Sequence, residues 1–424
     1  MDQDEQAHKW PKRNAMQASA FVAMPRRTVG AGSASTRPRI LHVSADFPDL
    51  FDARKTPVIQ TLLDLTEERF DHHVISLNRR SPRPFKFGRS LLAGGGKPEV
   101  SLQKREFGYG EAIAYEAPPL GLFHATMLNQ LGDRLGENMV RKHDLVIGHK
   151  LTIEGLVVSR ISKQAGIPFG ICIQGDTDTK IVQARPDLAP EFGRIFHEAE
   201  IVFPFTPWAL RQVEARLGVR KGPTMLLPCP TDLDVPLHPQ PRGDGLLSAF
   251  HLKNHQRKNL RGMVAAMRML RDDLPVSLAI VGGGTVQDEA HCRRIAGDLD
   301  TIVFEGPLDR SSIRQRMNGA TGFVLPSLRE SFGLVFIEAL FAGLPVVYPE
   351  GTSIDGYFDG APFAIAIDAK SPSAIAGAMR RLVREEQGLK AQLREWQQSA
   401  RAEQFMRSKI AQTFTKGLTC ALHA

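Results

Sequence analysis

Short apolar segments alternate with helical patterns along most of this chain, and this alternation constrains the fold more than any other feature. The first series of apolar segments lies at 39–44, 73–77, 144–148, 168–173 and 201–203. Strands that are joined by helices lie parallel in one sheet, with the helices covering its faces. The sequence therefore predicts an α/β fold with a doubly wound sheet.

A proline-rich segment divides the alternation into two series. Five prolines and two glycines lie at 228–245, and proline at this density stops both helices and strand ladders. A second series of strands begins at Leu246 and continues to 345–348. We therefore predict two Rossmann-like doubly wound domains that face a central cleft. Ligands of such sheets bind outside the carboxyl ends of the strands, and a cleft between domains is a favoured place.

The predicted domain boundaries follow from these shifts in composition. The parts are a disordered basic N-terminal arm at 1–38, an N-terminal domain at 39–235, a linker at 236–245, a C-terminal domain at 246–400 and a C-terminal helix at 401–424, which could pack back on the N-terminal domain. The first 39 residues hold seven Lys or Arg and three Asp or Glu, and so contribute half of the formal net charge of +8. A basic balance attracts anions without choosing between phosphates, nucleic acid and membranes.

Composition excludes several classes of protein. The four cysteines lie far apart and form no Cys-x-x-Cys pair, so we predict reduced thiols rather than a zinc site or a disulfide framework. No run of about 18 apolar residues is present that could span a membrane. We expect a cytoplasmic protein, with the inner face of the membrane as a possible place of attachment.

One basic loop is a candidate for that attachment. The segment 79–89 has five Lys or Arg and no acid, with Phe85 and Phe87 among them. Each basic side chain near an anionic surface contributes about 1 kcal/mol of binding free energy. An ordinary solvated loop explains the same composition equally well.

The segment 325–347 carries the most specific pattern. A predicted strand is followed by a loop with Glu330, and a helix begins near Gly333. The unpaired N–H groups at the start of a helix form a seat for phosphate. This helix is apolar over 334–342 except at Glu338, and a buried carboxylate needs hydrogen-bond donors. A ribose diol would supply them, and so would a buried Lys or Arg; the helix alone leaves both alternatives open.

Two glutamates separated by seven residues lie within this pattern. The chain has Arg-Glu-Ser-Phe-Gly-Leu at 329–334, Glu-Ala-Leu at 338–340 and Gly-Leu-Pro-Val-Val at 343–347. This arrangement resembles the donor-site signature of family 4 retaining glycosyltransferases of the GT-B fold. The resemblance extends to Ala-Ile-Val-Gly-Gly-Gly at 279–284 and, more weakly, over most of 39–414.

The resemblance implies a role for each residue of the signature. Glu338 would bind the ribose hydroxyls of a nucleoside-diphosphate sugar. Glu330 would contact the donor sugar or stabilise charge near the anomeric carbon, and it is the first predicted catalytic residue. The remaining positions predicted to bind the donor are Gly283, Ser331, Phe332, Gly333 and Leu334, mostly through backbone amides.

The family also holds the diphosphate with an arginine and a lysine after the first strand of this domain. The corresponding stretch here, 251–261, carries four Lys or Arg and no acid. Lys258 matches the lysine position, whereas the arginine position aligns with His251 by strand and with Lys253 by spacing. A diphosphate leaving group needs cationic neutralisation. We therefore expect Lys253, Arg257 and Lys258 to bind it, without a divalent metal or any other cofactor.

The N-terminal half provides fewer signals. His149 follows the strand 144–148 at the predicted cleft and is the second predicted catalytic residue, although a lone histidine is more often structural. The loop 47–56 lacks the Gly-Gly pair of the family, and Gln174 replaces a family histidine. Three Asp-x-Asp triplets arise easily by chance among 46 acidic residues, so no metal site is predicted.

These observations predict that a hexose-type sugar passes from a nucleoside-diphosphate sugar to an acceptor hydroxyl, with retained anomeric configuration. The resemblance implies a glycan or lipid-linked acceptor, in cell-surface polysaccharide or glycolipid assembly, and a donor phosphate oxygen that receives the acceptor's proton. One alternative is a sugar-nucleotide epimerase of the same fold. Another is a non-catalytic binder of nucleotides or nucleic acid, although no aromatic RNA-binding signature, zinc finger or basic helix supports a nucleic-acid partner.

Overall fold

The computed structural model describes residues 37–80, 102–117, 124–137 and 142–424 of the chain. Nearly all of the predicted N-terminal arm lies outside the described residues, and so does most of the basic segment 79–89. The predicted attachment of that segment to a membrane therefore stays a prediction.

The N-terminal domain is built on one sheet of seven strands in the described residues. In order across the sheet they are β3 (Leu102–Phe107), β4 (Gly110–Glu116), β2 (Asp71–Arg80), β1 (Arg39–Ser44), β5 (Leu145–Gly148), β6 (Phe169–Ile173) and β7 (Ile201–Pro204). Neighbours pair parallel except β3 with β4. The helices are α1 (Val58–Asp64), α2 (His124–Gly136), α3 (Glu154–Ala165), α4 (Asp176–Ala184), α5 (Ala189–Glu198) and α6 (Pro207–Leu217).

The C-terminal domain is built on a second, entirely parallel sheet. Its order is β10 (Ile302–Gly306), β9 (Leu278–Val281), β8 (Leu246–Ala249), β11 (Gly322–Val324), β12 (Val346–Pro349) and β13 (Ala364–Ile367). The helices are α7 (Leu260–Leu270), α8 (Val286–Ala296), α9 (Arg310–Asn318), α10 (Leu334–Phe341), α11 (Pro372–Arg384), α12 (Glu386–Gln397), α13 (Ala400–Glu403) and α14 (Arg407–Leu422).

The strand orders confirm the prediction of two doubly wound Rossmann-like domains. The central strands β5, β6, β9 and β12 are buried at every position, as expected for parallel strands that are covered on both faces. The direction of winding reverses between β1 and β5 in one sheet and between β8 and β11 in the other. Ligands of open α/β sheets bind in the crevice at such switch points. The antiparallel pair β3–β4 and the edge strand β13 were not predicted, because their patterns are short and partly polar.

The end of the chain returns to the N-terminal domain. Phe414 of α14 packs against Phe203 of β7, with ring centroids 5.3 Å apart. A Cβ atom at Gly417 would lie 2.3 Å from the Phe203 ring, so glycine permits this close approach. The linker, in contrast, is bound to the C-terminal domain, since the Leu237 N–H donates to the Phe341 carbonyl at 2.7 Å.

Direct hydrogen bonds also join the two domains. Trp208 Nε1 of α6 donates to the Ser353 carbonyl at 2.7 Å, and the Tyr357 hydroxyl donates to the Phe205 carbonyl at the same distance. These bonds fix the relative position of the two carboxyl edges. Within the described residues, no helix is both long enough and apolar enough to cross a bilayer.

Candidate functional site

A cavity of about 660 Å³ lies between the two carboxyl edges. Its N-terminal wall is formed by the ends of β1, β5 and β6, with Asp46, Lys150 and Gln174 at the surface. Its C-terminal wall is formed by the loops after β8 and β11 and by the start of α10. The volume falls in the range of about 300–1,000 Å³ that is usual for small-molecule sites.

The loops after β8 and β11 are joined by an ion pair. Lys258 Nζ contacts Glu330 Oε2, and both side chains are largely buried in the C-terminal wall. Ser327 Oγ donates to the same Glu330 oxygen at 3.4 Å, and the Leu328 N–H donates to the Arg257 carbonyl at 2.8 Å. Glu330 is therefore held at the switch point by contacts from both sides.

Two of the three predicted cations line the cavity, and the third does not. Arg257 and Lys258 face it together with His251, whereas Lys253 is exposed on a short turn outside. The turn at 252–254 directs Lys253 away from the cavity. His251, which aligns with the family's arginine by strand, therefore occupies the cavity wall in place of Lys253, which aligns with it by spacing. Among the described residues, no side-chain partner is found for the guanidinium of Arg257, which leaves it available to an anion.

Gly283 also lies outside the cavity. Its carbonyl accepts the Leu252 N–H at 2.8 Å, so it supports the loop after β8 instead of forming part of the wall. The neighbouring Gly282 has φ of +154°, and a Cβ atom there would lie 1.8 Å from the Phe250 carbonyl oxygen. The glycine turn therefore allows two loops to cross closely, which is a supporting role.

The start of α10 forms the centre of the C-terminal wall. Four of the residues that were predicted to bind the donor line the cavity: Ser331, Phe332, Gly333 and Leu334. Gly333 precedes the helix with φ of +76°, and a Cβ atom there would lie 2.7 Å from the Phe336 ring. The N–H groups of a first helical turn have no partners within the helix and carry positive potential. This wall therefore combines a helix start with two cationic side chains.

Glu338 lies one turn farther along α10 and does not itself line the cavity. Its carboxylate makes no hydrogen bond or ion pair with any described residue, although burial and the nearby Asp232 raise its pKa and Arg310 opposes the rise. Arg310 instead contacts Asp232. The buried Lys or Arg partner that the sequence left open is therefore not found in the described part of the chain, and the carboxylate remains able to accept donors from a ligand.

The prediction for His149 needs correction. His149 is fully buried beneath the cavity, where Nε2 lies 3.1 Å from His42 Nδ1 and Nδ1 lies 3.5 Å from Cys172 Sγ. Burial, with smaller effects of Lys150 and His72, lowers its pKa to about 3. The side chain at the end of β5 points into the core, so it cannot touch a sugar or acceptor in the cavity.

The next residue, Lys150, faces the cavity and was not predicted. Its ammonium contacts Asp46 and lies 3.9 Å from Glu154 Oε1. Burial opposes the charge on Lys150, but Glu154 and Asp46 outweigh burial and raise its pKa to about 12. Burial raises the pKa of Glu154 to about 7, against the attraction of Lys150. Successive side chains after β5 point alternately to the core and to the cavity, and this alternation could have identified Lys150 from the sequence.

A second unpredicted contact crosses between the walls. Arg329 Nε donates to Asp176 Oδ2, and Lys180 Nζ lies 2.8 Å from Asp176 Oδ1. Asp178 is buried and accepts the Thr152 N–H at 3.0 Å. The first Asp-x-Asp triplet is therefore occupied by protein contacts. No cluster of three or more His, Cys, Asp or Glu suited to a metal ion is found within the described ranges.

Comparison with known sequences points to one family. The model of the family described as "Glycosyl transferases group 1" matches residues 246–385, about a third of the chain. A D-inositol 3-phosphate glycosyltransferase of Acidothermus cellulolyticus is 33% identical over 122 residues, which is 27% of this chain and 27% of that protein. The matched segment thus spans about a quarter of the length of this relative.

Solved structures match over nearly the whole chain. Sucrose-phosphate synthase from Thermosynechococcus elongatus has a TM-score of 0.61 and 21% identity, over 90% of this chain and 98% of the other. Anabaena HepE in complex with UDP and glucose has a TM-score of 0.56 and 14% identity, over 90% and 100%. At these identities the likeness establishes the fold. Residues 246–385 match the family model of glycosyl transferases group 1, and the chain as a whole has the two-domain GT-B fold.

Proposed function

We propose that this chain transfers a hexose-type sugar from a nucleoside-diphosphate sugar to an acceptor hydroxyl, with retention of the anomeric configuration. The observation that carries the proposal is the arrangement at the C-terminal wall. An available guanidinium at Arg257 and the ammonium of Lys258 lie beside the start of α10, and the unpaired Glu338 carboxylate lies one turn beyond it.

Each part of that wall suits one part of the donor. The first N–H groups of α10 and the cations after β8 suit a diphosphate, since both carry positive potential. The Glu338 carboxylate suits a pair of ribose hydroxyls, which would be its hydrogen-bond donors. Glu330 lies on the loop before the helix, so a sugar that projects past the diphosphate would lie beside it.

The protein's contribution to the reaction would be positioning and electrostatic stabilisation. Negative charge grows on the diphosphate as the glycosidic bond breaks, and Arg257, Lys258 and the helix start would stabilise it. The acceptor hydroxyl loses its proton to a donor phosphate oxygen in this proposal. No divalent metal is required, because the cationic side chains supply the neutralising charge.

The acceptor and the cellular place are proposed from the relatives. The Acidothermus relative is named for transfer to an inositol phosphate, and a Mycobacterium leprae relative for transfer to phosphatidyl-myo-inositol. The second name supports a lipid-linked acceptor, and we propose a glycan or lipid-linked acceptor in cell-surface polysaccharide or glycolipid assembly. We propose that the reaction takes place in the cytoplasm, at or near the inner face of the membrane.

The test is a coupled measurement of both products. Purified chain is incubated with UDP-, GDP- or ADP-sugars and a panel of polyol and glycoside acceptors, and nucleoside diphosphate release and glycosylated product are measured together. We expect a glycosylated product whose anomeric configuration, read by NMR, is that of the donor. Activity should persist in excess EDTA.

Three results would contradict the proposal. An epimerised donor without a transferred sugar would identify an epimerase. An inverted product would exclude retention. Loss of transfer in EDTA that manganese restores would exclude the metal-free mechanism.

A further inference from the structure

The two walls of the cavity differ in whether their cationic side chains already have carboxylate partners. On the C-terminal wall Arg257 is available to an anion. On the N-terminal wall the described lining residues offer the carboxylates of Asp46 and Asp176 and one ammonium, Lys150. That ammonium already contacts one carboxylate and lies near a second, Glu154. Asp176 is likewise paired, with Lys180 and Arg329. An arriving phosphate would therefore meet charges that are already paired and no available cation among the described lining residues of this wall.

The loop that carries Asp46 is hydrogen-bonded to β2. Asp49, three residues farther on, accepts from Lys55 Nζ at 2.8 Å and from Asn78 Nδ2 at 2.7 Å, and it contacts Ser76 Oγ. Burial tends to raise the pKa of Asp49, but these hydrogen bonds outweigh it and the pKa is lowered. The loop is thus bound to β2 by hydrogen bonds of a charged carboxylate. The Gly-Gly pair that the resembled family has in this loop is absent here.

Asp46 itself is presented to the cavity from that loop. Its side chain is about a third exposed, whereas Lys150 behind it is 6% exposed and Glu154 is fully buried. Glu154 Oε1 accepts the Ala45 N–H at 2.6 Å, so the buried carboxylate binds both the Asp46 loop and the lysine. The outermost member of this cluster is a carboxylate, an acceptor of hydrogen bonds.

We infer that Asp46 binds a hydroxyl group of an uncharged acceptor, and that Lys150, held by Glu154, is the residue that positions Asp46. The inference rests on the proposed function and specifies the acceptor's chemical class. A polyol or neutral glycoside supplies hydroxyl donors to Asp46. A phosphorylated acceptor brings an anion to a wall whose cation is already paired. The phosphate would remain without a partner there, and an unpaired charge at a binding surface selects against the ligand that carries it.

The inference separates this chain from the acceptor named for its Acidothermus relative, which is an inositol phosphate. That relative matches only 27% of this chain. The residues that carry the inference lie in the N-terminal domain, outside the segment 246–385 that the family model matches.

The test uses the full chain and two pairs of probes. The donor is the nucleoside-diphosphate sugar that raises the melting temperature most. Nucleoside diphosphate release is measured with two matched pairs of acceptors: myo-inositol against myo-inositol 1-phosphate, and glucose against glucose 6-phosphate. We expect faster release with each neutral probe than with its phosphorylated counterpart.

Variants then test the residues. Asp46→Asn should raise the KM for the neutral probe about 10-fold or more, the loss expected for a hydrogen bond to a charged group, with nucleotide affinity changed less than about 2-fold. Lys150→Met should raise the same KM with a smaller change in kcat, because it acts by positioning. Asp52→Asn is the matched control, since Asp52 lies on the same loop but does not line the cavity, and its partly exposed side chain pairs with the neighbouring Arg54.

Several results would overturn the inference. They are preference for the phosphorylated probes, no stimulation by either neutral probe, or equal effects of Asp46→Asn and Asp52→Asn. If Lys150→Met lowers kcat and nucleotide affinity as much as it raises KM, the positioning role is wrong. If the unaltered chain binds no nucleoside-diphosphate sugar at all, the proposed function fails, and the inference fails with it.

Discussion

Lys258 and Glu330 form an ion pair that joins the loops after β8 and β11 at the switch point of the C-terminal sheet. The pair brings together a residue predicted to bind diphosphate and a residue predicted to act beside the sugar. Each partner is largely buried, so removal of one leaves a charge in the wall without its partner. The proposed diphosphate site and the proposed catalytic position thus share one ion pair.

We expect substitutions of Lys258 and of Glu330 to affect different steps, the first nucleotide binding and the second kcat. Lys258→Met should weaken nucleoside diphosphate binding by about 10-fold or more, because a charge-assisted contact to phosphate is lost. Glu330→Gln should not weaken that affinity, because the Lys258 ammonium loses its carboxylate partner and becomes available to phosphate. The same variant should lower kcat by about 100-fold, since the Glu330 charge acts on the transition state. Titration calorimetry and steady-state kinetics measure the two effects. Lys253→Met is the control, because Lys253 lies outside the cavity; equal defects in all three variants would contradict the assignment.

Glu338 should act through donor binding. Its contacts with a ribose would be equal in the ground and transition states, so Glu338→Gln should raise the donor KM with little change in kcat. Removing a partly buried, unpaired carboxylate should not lower the melting temperature. Glu289→Gln, on an exposed part of α8 and paired with Arg293, serves as the control. A fall in kcat at constant donor KM would place Glu338 in the chemical step instead.

Gly333 should be required for the geometry of the helix start. Gly333→Ala places a side chain at φ of +76° and within 2.7 Å of Phe336, so we expect a loss of unfolding free energy of about 2 kcal/mol and weaker nucleotide binding. Gly351→Ala isolates the backbone cost, because Gly351 has φ of +71° with nothing within 4 Å of the added Cβ atom. Urea unfolding that gives the same loss for both variants would show that the close contact does not matter.

The buried histidines predict how stability depends on pH. His149 has a pKa of about 3 when folded and about 6.5 when unfolded, so the unfolded chain takes up its proton first as the pH falls. Its contribution to stability is complete above about pH 7 and is lost as the pH falls below about 6.5. From about pH 7.5 to about pH 5 the expected loss is about 2 kcal/mol.

His149→Gln removes this titration and keeps an amide that can hydrogen-bond to His42. Urea unfolding at the two pH values should therefore show a difference about 2 kcal/mol smaller in the variant than in the unaltered chain. His423→Gln, at an exposed position near the C-terminus, should not change the difference. An unchanged difference in His149→Gln would mean that the buried imidazole does not control acid stability.

The sequence predicted the two sheets because strands that are buried on both faces consist of consecutive apolar residues, such as Leu145–Gly148. It predicted the helix start at Gly333 because a helix start depends on local pattern, but it left open whether Glu338 has a Lys or Arg partner. The prediction for His149 was wrong because successive side chains after a strand point in opposite directions. His149 therefore points into the core, and the next residue, Lys150, faces the cavity. Asp46 and Arg329 were missed for another reason: their partners, Lys150 and Asp176, are 104 and 153 residues away, and only the tertiary fold brings them together.

The most direct test of the account is a calorimetric titration of UDP, GDP and ADP into the unaltered chain, Arg257→Ala and Arg261→Ala. Both arginines belong to the same basic stretch, but Arg257 lines the cavity and Arg261 does not. The account predicts that at least one nucleoside diphosphate binds at one site per chain, that Arg257→Ala weakens it by about 10-fold, and that Arg261→Ala leaves it unchanged. No binding by any of the three, or equal weakening by both variants, would contradict a donor site at the start of α10.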